Sequence, residues 1–373
     1  MSEKKKLQDQ LETLLQEAEV AIDGNRPWDI RVKDNRFYRR IFSQGSLGFG
    51  EAYMDGWWET DSLDQLVHRL MRARLKERFR SLALLMTSLK ARILNCQSLQ
   101  RSFAVGEKHY DISNDLFRQM LDSRMIYSCG YWKEARTLDE AQAAKLELIC
   151  KKLHLQPGHK VLDIGCGWGG TARYMAENYD VEVTGITISQ EQAKLARENC
   201  EGLPVEIKLQ DYRKMQGTFD RAVSVGMFEH VGYKNYRTYF HKIAELLKDE
   251  GIFLLHTIGG NTPARHTEPW LERYIFPNGM IPSAQQICDG FEGKFVLEDW
   301  HNFGLDYDKT LLAWHDNFNA AWPRLKQDYD ERFRRMWTYY LLASAGSFRS
   351  RDNQLWQVVL SRQGLPEGFH FPR

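Results

Sequence analysis

The stretch Val161-Leu162-Asp163-Ile164-Gly165-Cys166-Gly167-Trp168-Gly169-Gly170 decides how this chain is read, because an apolar run of strand type enters a glycine turn with a carboxylate just ahead of it. Glycines at 165, 167 and 170 permit a tight turn and a close backbone approach to a nucleotide at the mouth of a Rossmann-like unit. That spacing alone suits many ligands. Asp163 narrows the field. A carboxylate at the strand end repels a pyrophosphate, yet it can hold the ammonium group of S-adenosylmethionine, whose methionine part carries no phosphate. The motif favours a methyl donor over NAD.

The next strand points the same way. A dinucleotide fold expects an acidic residue about twenty positions past the glycines, set to bond the ribose hydroxyls. Gly185-Ile186-Thr187-Ile188-Ser189-Gln190-Glu191-Gln192 offers hydroxyls and amides instead, which can bond a ribose without the dinucleotide signature. Ser189 is also well placed as the N-cap of the helix that follows.

Further out, strand and helix patterns alternate. Strands are predicted at 160–165, 181–187, 205–210, 219–225, 251–258, 294–302 and 354–361, with helices at 169–178 and 189–200. This order predicts an α/β, Rossmann-like, doubly wound sheet with helices on both faces. Ligands in such sheets bind outside the carboxyl ends of the strands. Asp163, Thr187, Asp211, Glu229 and His256 fall at predicted strand ends and are expected to converge on one crevice.

The front of the chain reads as helical. Leu7, Leu11, Leu14, Leu15, Ala18 and Ile22 recur at helical spacing until Gly24-Asn25-Arg26-Pro27 stops them. The glycine-punctuated, aromatic run from Gly45 to Trp58 is expected to form short turns packed against helices. Between Val67 and Tyr110 stand ten Lys or Arg residues against Glu77 and Glu107, interleaved with Leu70, Met71, Leu75, Phe79, Leu82, Leu85 and Leu89. An amphipathic basic helix of this kind can lie against anionic lipid headgroups. A helix packed on its own domain with a solvated basic face, or a nucleic-acid surface, has the same pattern. The expected organisation is a helical domain over residues 1–95 that serves membrane docking or dimerisation, a linker over 96–115, and a catalytic domain over 116–373.

Composition excludes several classes. With 373 residues, 43% of them hydrophobic, and a formal charge of +1, the chain suits a globular protein of about two domains. No apolar run approaches the ~18–20 residues of a membrane span, and Met1-Ser2-Glu3-Lys4-Lys5-Lys6 lacks the apolar stretch of a signal peptide, so a cytoplasmic location is expected. Six dispersed cysteines without a Cys-x-x-Cys pair read as reduced thiols.

Several blocks carry a family resemblance: Gly106-Glu107-Lys108-His109-Tyr110-Asp111, Tyr127-Ser128-Cys129-Gly130-Tyr131-Trp132, the glycine motif, Gly226-Met227-Phe228-Glu229-His230-Val231-Gly232, Leu255-His256-Thr257-Ile258-Gly259 and Tyr274-Ile275-Phe276-Pro277-Asn278-Gly279. Over almost its whole length the chain resembles the bacterial cyclopropane-fatty-acyl-phospholipid synthase family. The glycine motif is common to methyltransferases at large, whereas the Tyr-Ser-Cys and Phe-Glu-His blocks separate this family from small-molecule methyltransferases. The N-terminal extension distinguishes it from the shorter mycolic-acid cyclopropane synthases.

The resemblance implies a class I methyltransferase sheet preceded by a smaller helical domain. It also implies a reaction on the cis double bond of an unsaturated acyl chain in a membrane phospholipid. An alkene is a weak nucleophile that must be held close to, and in line with, the sulfonium methyl. Methyl transfer leaves a carbocation, and loss of a proton from the new methyl closes the ring, which requires a base that does not trap the cation. In the family that base is a bound bicarbonate.

Position by position, the resemblance places the bicarbonate site at Cys129, Glu229, His256, the backbone of Ile258, and Tyr307. His256, Tyr307 and the Ile258 amide would donate to the anion, Glu229 would accept its hydroxyl proton, and Cys129 would be a weak donor. Taken alone, a buried Glu–His pair is also a common structural pair, and Cys with His and Glu also suits zinc; the family context favours bicarbonate and no metal. For the donor, Tyr127 and Ser128 fall at the carboxylate end, Asp163, Gly165 and Gly167 along the methionine part, Thr187 and Gln192 near the ribose, and Asp211 and Tyr212 near adenine. The faces of Tyr131, Phe303 and Tyr307 can stabilise a developing cation, or equally line the acyl tunnel for packing alone. The implied partners are a phospholipid bilayer, approached from the inner face of the cytoplasmic membrane, and a second copy in a homodimer, with no nucleic acid. A methyltransferase of another small or lipid substrate, or a non-catalytic lipid-binding protein, are the alternative readings. One departure stands out: some members carry an active-site cysteine in a late Ala-Cys-Ala-Gly run, where this chain reads Ala343-Ser344-Ala345-Gly346. Ser344 supplies no thiolate and is expected to have no catalytic role.

Overall fold

The structure, a computed structural model, describes residues 3–74 and 113–370. The block Gly106–Asp111, most of the expected linker and most of the basic run lie outside these residues. The described chain forms two compact units that interleave in sequence: residues 3–74, 266–277 and 307–353 in one, and residues 113–265, 278–306 and 354–370 in the other.

The first unit carries a short antiparallel pair, β1 (Arg31–Val32) with β2 (Trp58–Glu59), among helices that include Glu3–Gln16, Arg36–Met54, Leu63–Arg72 and Glu331–Arg349. The opening helix is shorter than the expected 7–22. It ends where Glu19 takes φ 53°, and Ile22 instead bridges to Ile30. The expectation of short turns from Gly45 is also corrected, because residues 36–54 are helical with a single break at Gly45 (φ 57°, ψ −133°). The later glycines are there for packing. A Cβ at Gly48 would stand 2.6 Å from the Arg40 carbonyl, and one at Gly50 would stand 2.5 Å from Cδ1 of Trp270. Tertiary contact here outweighs the low helix propensity of glycine, which costs about 1 kcal/mol per residue.

Ser344 lies half-buried on the helix Glu331–Arg349, and its carbonyl accepts the Ser347 hydroxyl at 2.7 Å. The small residues beside it allow this helix to approach Leu63–Arg72: a Cβ at Gly346 would meet the Asp64 carbonyl at 2.5 Å. Arg349 then ties Asp64 (2.6 Å) to Asp308 (2.8 Å). The run therefore serves packing in this chain. Ser344→Ala is expected to leave turnover within about twofold and stability within about 0.5 kcal/mol, as read by a steady-state assay and a denaturant melt; complete loss of turnover would refute this.

The second unit is built on a seven-stranded sheet of β3 (Lys160–Ile164), β4 (Glu182–Thr187), β5 (Val205–Leu209), β6 (Phe219–Val225), β7 (Leu247–Gly260), β8 (Val296–Asn302) and β9 (Asn353–Ser361), in the order β5-β4-β3-β6-β7-β9-β8. β3 to β7 pair in parallel and β8 runs antiparallel to β9. Alternation along the strands builds two cores. Leu162, Ile164, Phe253, Leu255, Val358 and Leu360 pack with Phe240, Ile243, Ile287 and Phe291. Val161, Ile252, Leu254 and Val359 pack on the other side with Ile149, Cys150, Ala172 and Met175. The sheet thus carries helices on both faces, as the alternating pattern predicts, with strand limits displaced by a few residues at most.

Candidate active site

Two parallel neighbours fix the end of β3. Asp163 stands opposite Gly185 of β4 and Val223 of β6, and the amides of Gly165 and Cys166 donate to the Ile186 carbonyl at 2.9 and 3.0 Å. Gly165 (φ 84°) and Gly167 (φ 54°) hold a left-handed turn that side-chain-bearing residues rarely adopt. This turn opens onto a cavity whose lining includes all nine residues assigned to the donor: Tyr127, Ser128, Asp163, Gly165, Gly167, Thr187, Gln192, Asp211 and Tyr212.

Within the cavity, Thr187 Oγ1 donates to Gln192 Oε1 (2.9 Å). Ser189 does cap its helix, accepting from the Gln192 amide at 3.2 Å. Asp211 is held by Arg213 at 2.6 Å, and Tyr212 packs edge-on against Tyr239. Trp168, Arg213, Met227 and His230 also line the space and were not foreseen. Nothing in local spacing marks Met227, whereas Arg213, two residues from Asp211, was open to an ion-pair reading.

Asp163 is almost fully buried, and its Oδ2 has no hydrogen-bond partner among the described residues. Burial raises its carboxyl to about 7, against the opposing influence of Lys145. Lys145, on the helix Leu138–Lys152, is itself fully buried, and burial lowers it to about 8 despite Asp122, Cys129 and Asp163 nearby. It donates to Ser128 Oγ at 3.0 Å. A buried, unpaired acceptor at the end of the glycine turn suits the ammonium of S-adenosylmethionine.

The expected single crevice is corrected in part. Asp163, Thr187 and Asp211 line the cavity, but Glu229 and His256 lie beside it. Glu229 sits in the turn between Met227 and His230, both cavity-lining residues. Its Oε1 accepts the Ile258 amide at 2.7 Å, so that amide, expected to face an anion, serves the buried carboxylate instead. Glu229 Oε2 and His256 Nε2 are both buried without partners among the described residues. Burial raises the Glu229 carboxyl; burial, with help from Lys145 and Lys152, holds His256 well below its ordinary value. Gln357 Nε2 lies 3.3 Å from His256 Nδ1. With the Gln357 amide in this orientation its NH₂ donates, Nδ1 accepts and the ring proton is left to Nε2.

Cys129 is buried, its thiol directed to the Gly130 carbonyl at 3.1 Å. The Phe303 ring meets both Tyr131 (5.3 Å) and His256 (5.8 Å), which brings the Cys129–Tyr131 segment beside the histidine. Tyr307 belongs to the first unit, where it packs on Phe348 at 4.4 Å and Trp314 at 6.0 Å. Among the described residues no cluster of three His, Cys, Asp or Glu side chains is placed to hold a metal ion.

A mixed sheet of this order, with a glycine turn and a buried carboxylate at the end of its first long strand, defines a class I S-adenosylmethionine-dependent methyltransferase. Solved structures share the fold. The cyclopropane synthase MmaA2 from Mycobacterium tuberculosis is 31% identical, with TM-score 0.66 over 69% of this chain and 98% of that one. Mycolic acid cyclopropane synthase CmaA1, complexed with SAH and CTAB, is 33% identical, with TM-score 0.65 over the same shares. In sequence, the cyclopropane-fatty-acyl-phospholipid synthase of Escherichia coli K12 is 56% identical, across 96% of this chain and 94% of that protein. Residues 97–358 match the family described as mycolic acid cyclopropane synthetase. The chain belongs to this cyclopropane synthase family, and it is an enzyme that uses S-adenosylmethionine as co-substrate.

Proposed function

We propose that this enzyme adds the one-carbon unit of S-adenosylmethionine across the cis double bond of an unsaturated acyl chain in a membrane phospholipid, giving a cyclopropane. The observation that carries this reading is the pair of buried, unsatisfied groups beside the donor cavity, Glu229 Oε2 and His256 Nε2–H. One accepts and one donates, which suits an ion bearing both a hydroxyl and anionic oxygens. Bicarbonate held there, with Cys129 as a weak donor, would supply the base that ring closure needs. The name of the Escherichia coli relative supports the lipid substrate.

The protein's own part is positional. Asp163 and Ser128 orient the donor's amino-acid end, while Thr187, Gln192 and Asp211 serve its nucleoside. A neutral His256 offers a donor without adding a positive charge next to a cation. Tyr131 and Phe303 present ring faces that stabilise positive charge and exclude water. The test is incubation with labelled S-adenosylmethionine and vesicles of unsaturated phospholipid, followed by mass spectrometry of the lipid. A gain of one CH₂ with loss of the double bond supports the proposal; a methyl product that keeps the double bond, or no product, counts against it.

We further propose that the enzyme reaches its substrate as a peripheral protein on the inner face of the cytoplasmic membrane, as a homodimer. No helix among the described residues is long and apolar enough to cross a membrane, and the basic amphipathic run starting near Val67 suits anionic headgroups. Each basic residue near the surface contributes about 1 kcal/mol. Neutralising Arg72, Arg74, Arg78 and Arg80 together is expected to weaken binding to anionic vesicles at least tenfold. Unchanged co-sedimentation would refute the docking role.

A further inference from the structure

Among the described residues Lys145 and Lys152 are both fully buried; Lys152 pairs with Asp299, and the reaction outlined above leaves Lys145 without a task. Lys145 lies on the inner side of the helix Leu138–Lys152, beneath the segment that carries both Ser128 and Cys129. That helix grips the segment at three points. Gln142 Nε2 donates to the Ser128 carbonyl (2.7 Å), Lys145 Nζ donates to Ser128 Oγ (3.0 Å), and the Ala141 carbonyl accepts the Tyr131 amide (2.8 Å). Gly130 permits the approach, since a Cβ there would come within 2.8 Å of the Ala141 Cβ.

Two amide bonds and a close packing contact are enough to seat a loop, so a buried ammonium needs a further reason. Removing such a charge from water costs several kcal/mol unless it meets an opposite charge or a good acceptor. Asp122 is the leading counter-charge on Lys145, but the ammonium's hydrogen bond goes to Ser128 Oγ, while the Asp122 oxygens accept the Ile126 and Arg124 amides at 2.7 and 3.2 Å. The other carboxylate acting on Lys145 is Asp163, whose Oδ2 has no partner.

An ammonium only donates, so Ser128 Oγ accepts from Lys145 and its own proton is left to donate onward. Both Ser128 and Asp163 line the donor cavity. The wall there presents a hydroxyl donor backed by a positive charge, and a bare carboxylate. That is the complement of an α-amino acid zwitterion.

We infer that Lys145 is a positioning residue for the amino-acid end of the methyl donor: relayed through Ser128, its charge faces the donor's carboxylate, and it balances the Asp163 carboxylate that meets the donor's ammonium. This inference rests on the donor site described above. Hydrogen bonds to charged groups are the strong ones, and a chain of them polarises along its length. Selectivity for a zwitterion over the bare thioether nucleoside is the property this arrangement confers.

The test is calorimetric titration of the full chain with S-adenosylhomocysteine and with 5′-methylthioadenosine, which lacks the amino-acid end. In Lys145→Met the affinity for S-adenosylhomocysteine is expected to fall about 10-fold or more, while that for 5′-methylthioadenosine stays within about twofold. Equal loss for both ligands would show a purely structural lysine and overturn the inference, as would no loss for either. If Lys145→Met does not fold, Lys145→Gln carries the test, because it keeps a donor toward Ser128 Oγ and removes the charge. The same selective loss is expected, and an equal effect on both ligands overturns the inference. An unaltered protein that binds neither ligand would instead overturn the donor site itself, and this inference with it.

Discussion

Glu229→Gln is expected to lower cyclopropane formation by about 10²–10⁴-fold, the range that a positioned acid–base site contributes, and to leave S-adenosylhomocysteine affinity within about twofold. The carboxylate divides its work between two oxygens. Oε1 accepts the Ile258 amide, and Oε2 is buried without a partner. Glutamine can keep the first contact, but it places an NH₂ donor where the second acceptor stood. With the ring proton of His256 on Nε2, two donors would then face a site proposed to hold an anion with a hydroxyl of its own. Glu229 does not line the donor cavity, so donor binding and turnover should separate. Lipid mass spectrometry paired with calorimetry measures both, and a variant active within tenfold of the parent would remove Glu229 from the site.

Asp163→Asn is expected to weaken S-adenosylhomocysteine binding by roughly 10–150-fold, the value of one hydrogen bond to a charged group. The pH dependence of the unaltered protein carries the same information. Burial raises the Asp163 carboxyl to about 7, so below that pH the free protein holds it protonated and unable to pair with an ammonium. Affinity should therefore fall about tenfold per pH unit below about 7 and level off above it. Lys145, lowered by burial to about 8, bounds this window on the alkaline side. In Asp163→Asn the acidic slope should vanish; calorimetry between pH 5.5 and 7.5, taken as about the span of that titration, would show it, and a slope that survives would assign the titration to another group.

Much of the cavity lining was legible because its residues are tied to local backbone features. A strand that ends in a carboxylate and a left-handed glycine turn is encoded within ten residues, Thr187 and Asp211 follow at the ends of adjacent parallel strands, and Gln192 lies in the first turn of the helix after β4. Lys145 was not legible. On a helix whose sequence mixes Lys, Glu and Ala, a lysine looks like part of a solvated face, and only the packing of the helix beneath Ser128 shows it to be buried. The glycines at 48 and 50 misled for the opposite reason: read locally they signal turns, whereas the Arg40 carbonyl across the Gly45 break and Trp270, far along the chain, require the missing Cβ.

By itself, the sequence determined the α/β sheet, the glycine turn at its cavity and the family, because each depends on short-range periodicity, strand-end chemistry or contiguous blocks of residues. Only the tertiary structure decided that Glu229 takes the Ile258 amide, that Gln357 meets His256 Nδ1, that Lys145 backs Ser128, and that residues 266–277 and 307–353 pack with the front helices. Those outcomes turn on which polar groups are cut off from water. That is set by segments brought together from far along the chain, and no local pattern carries it.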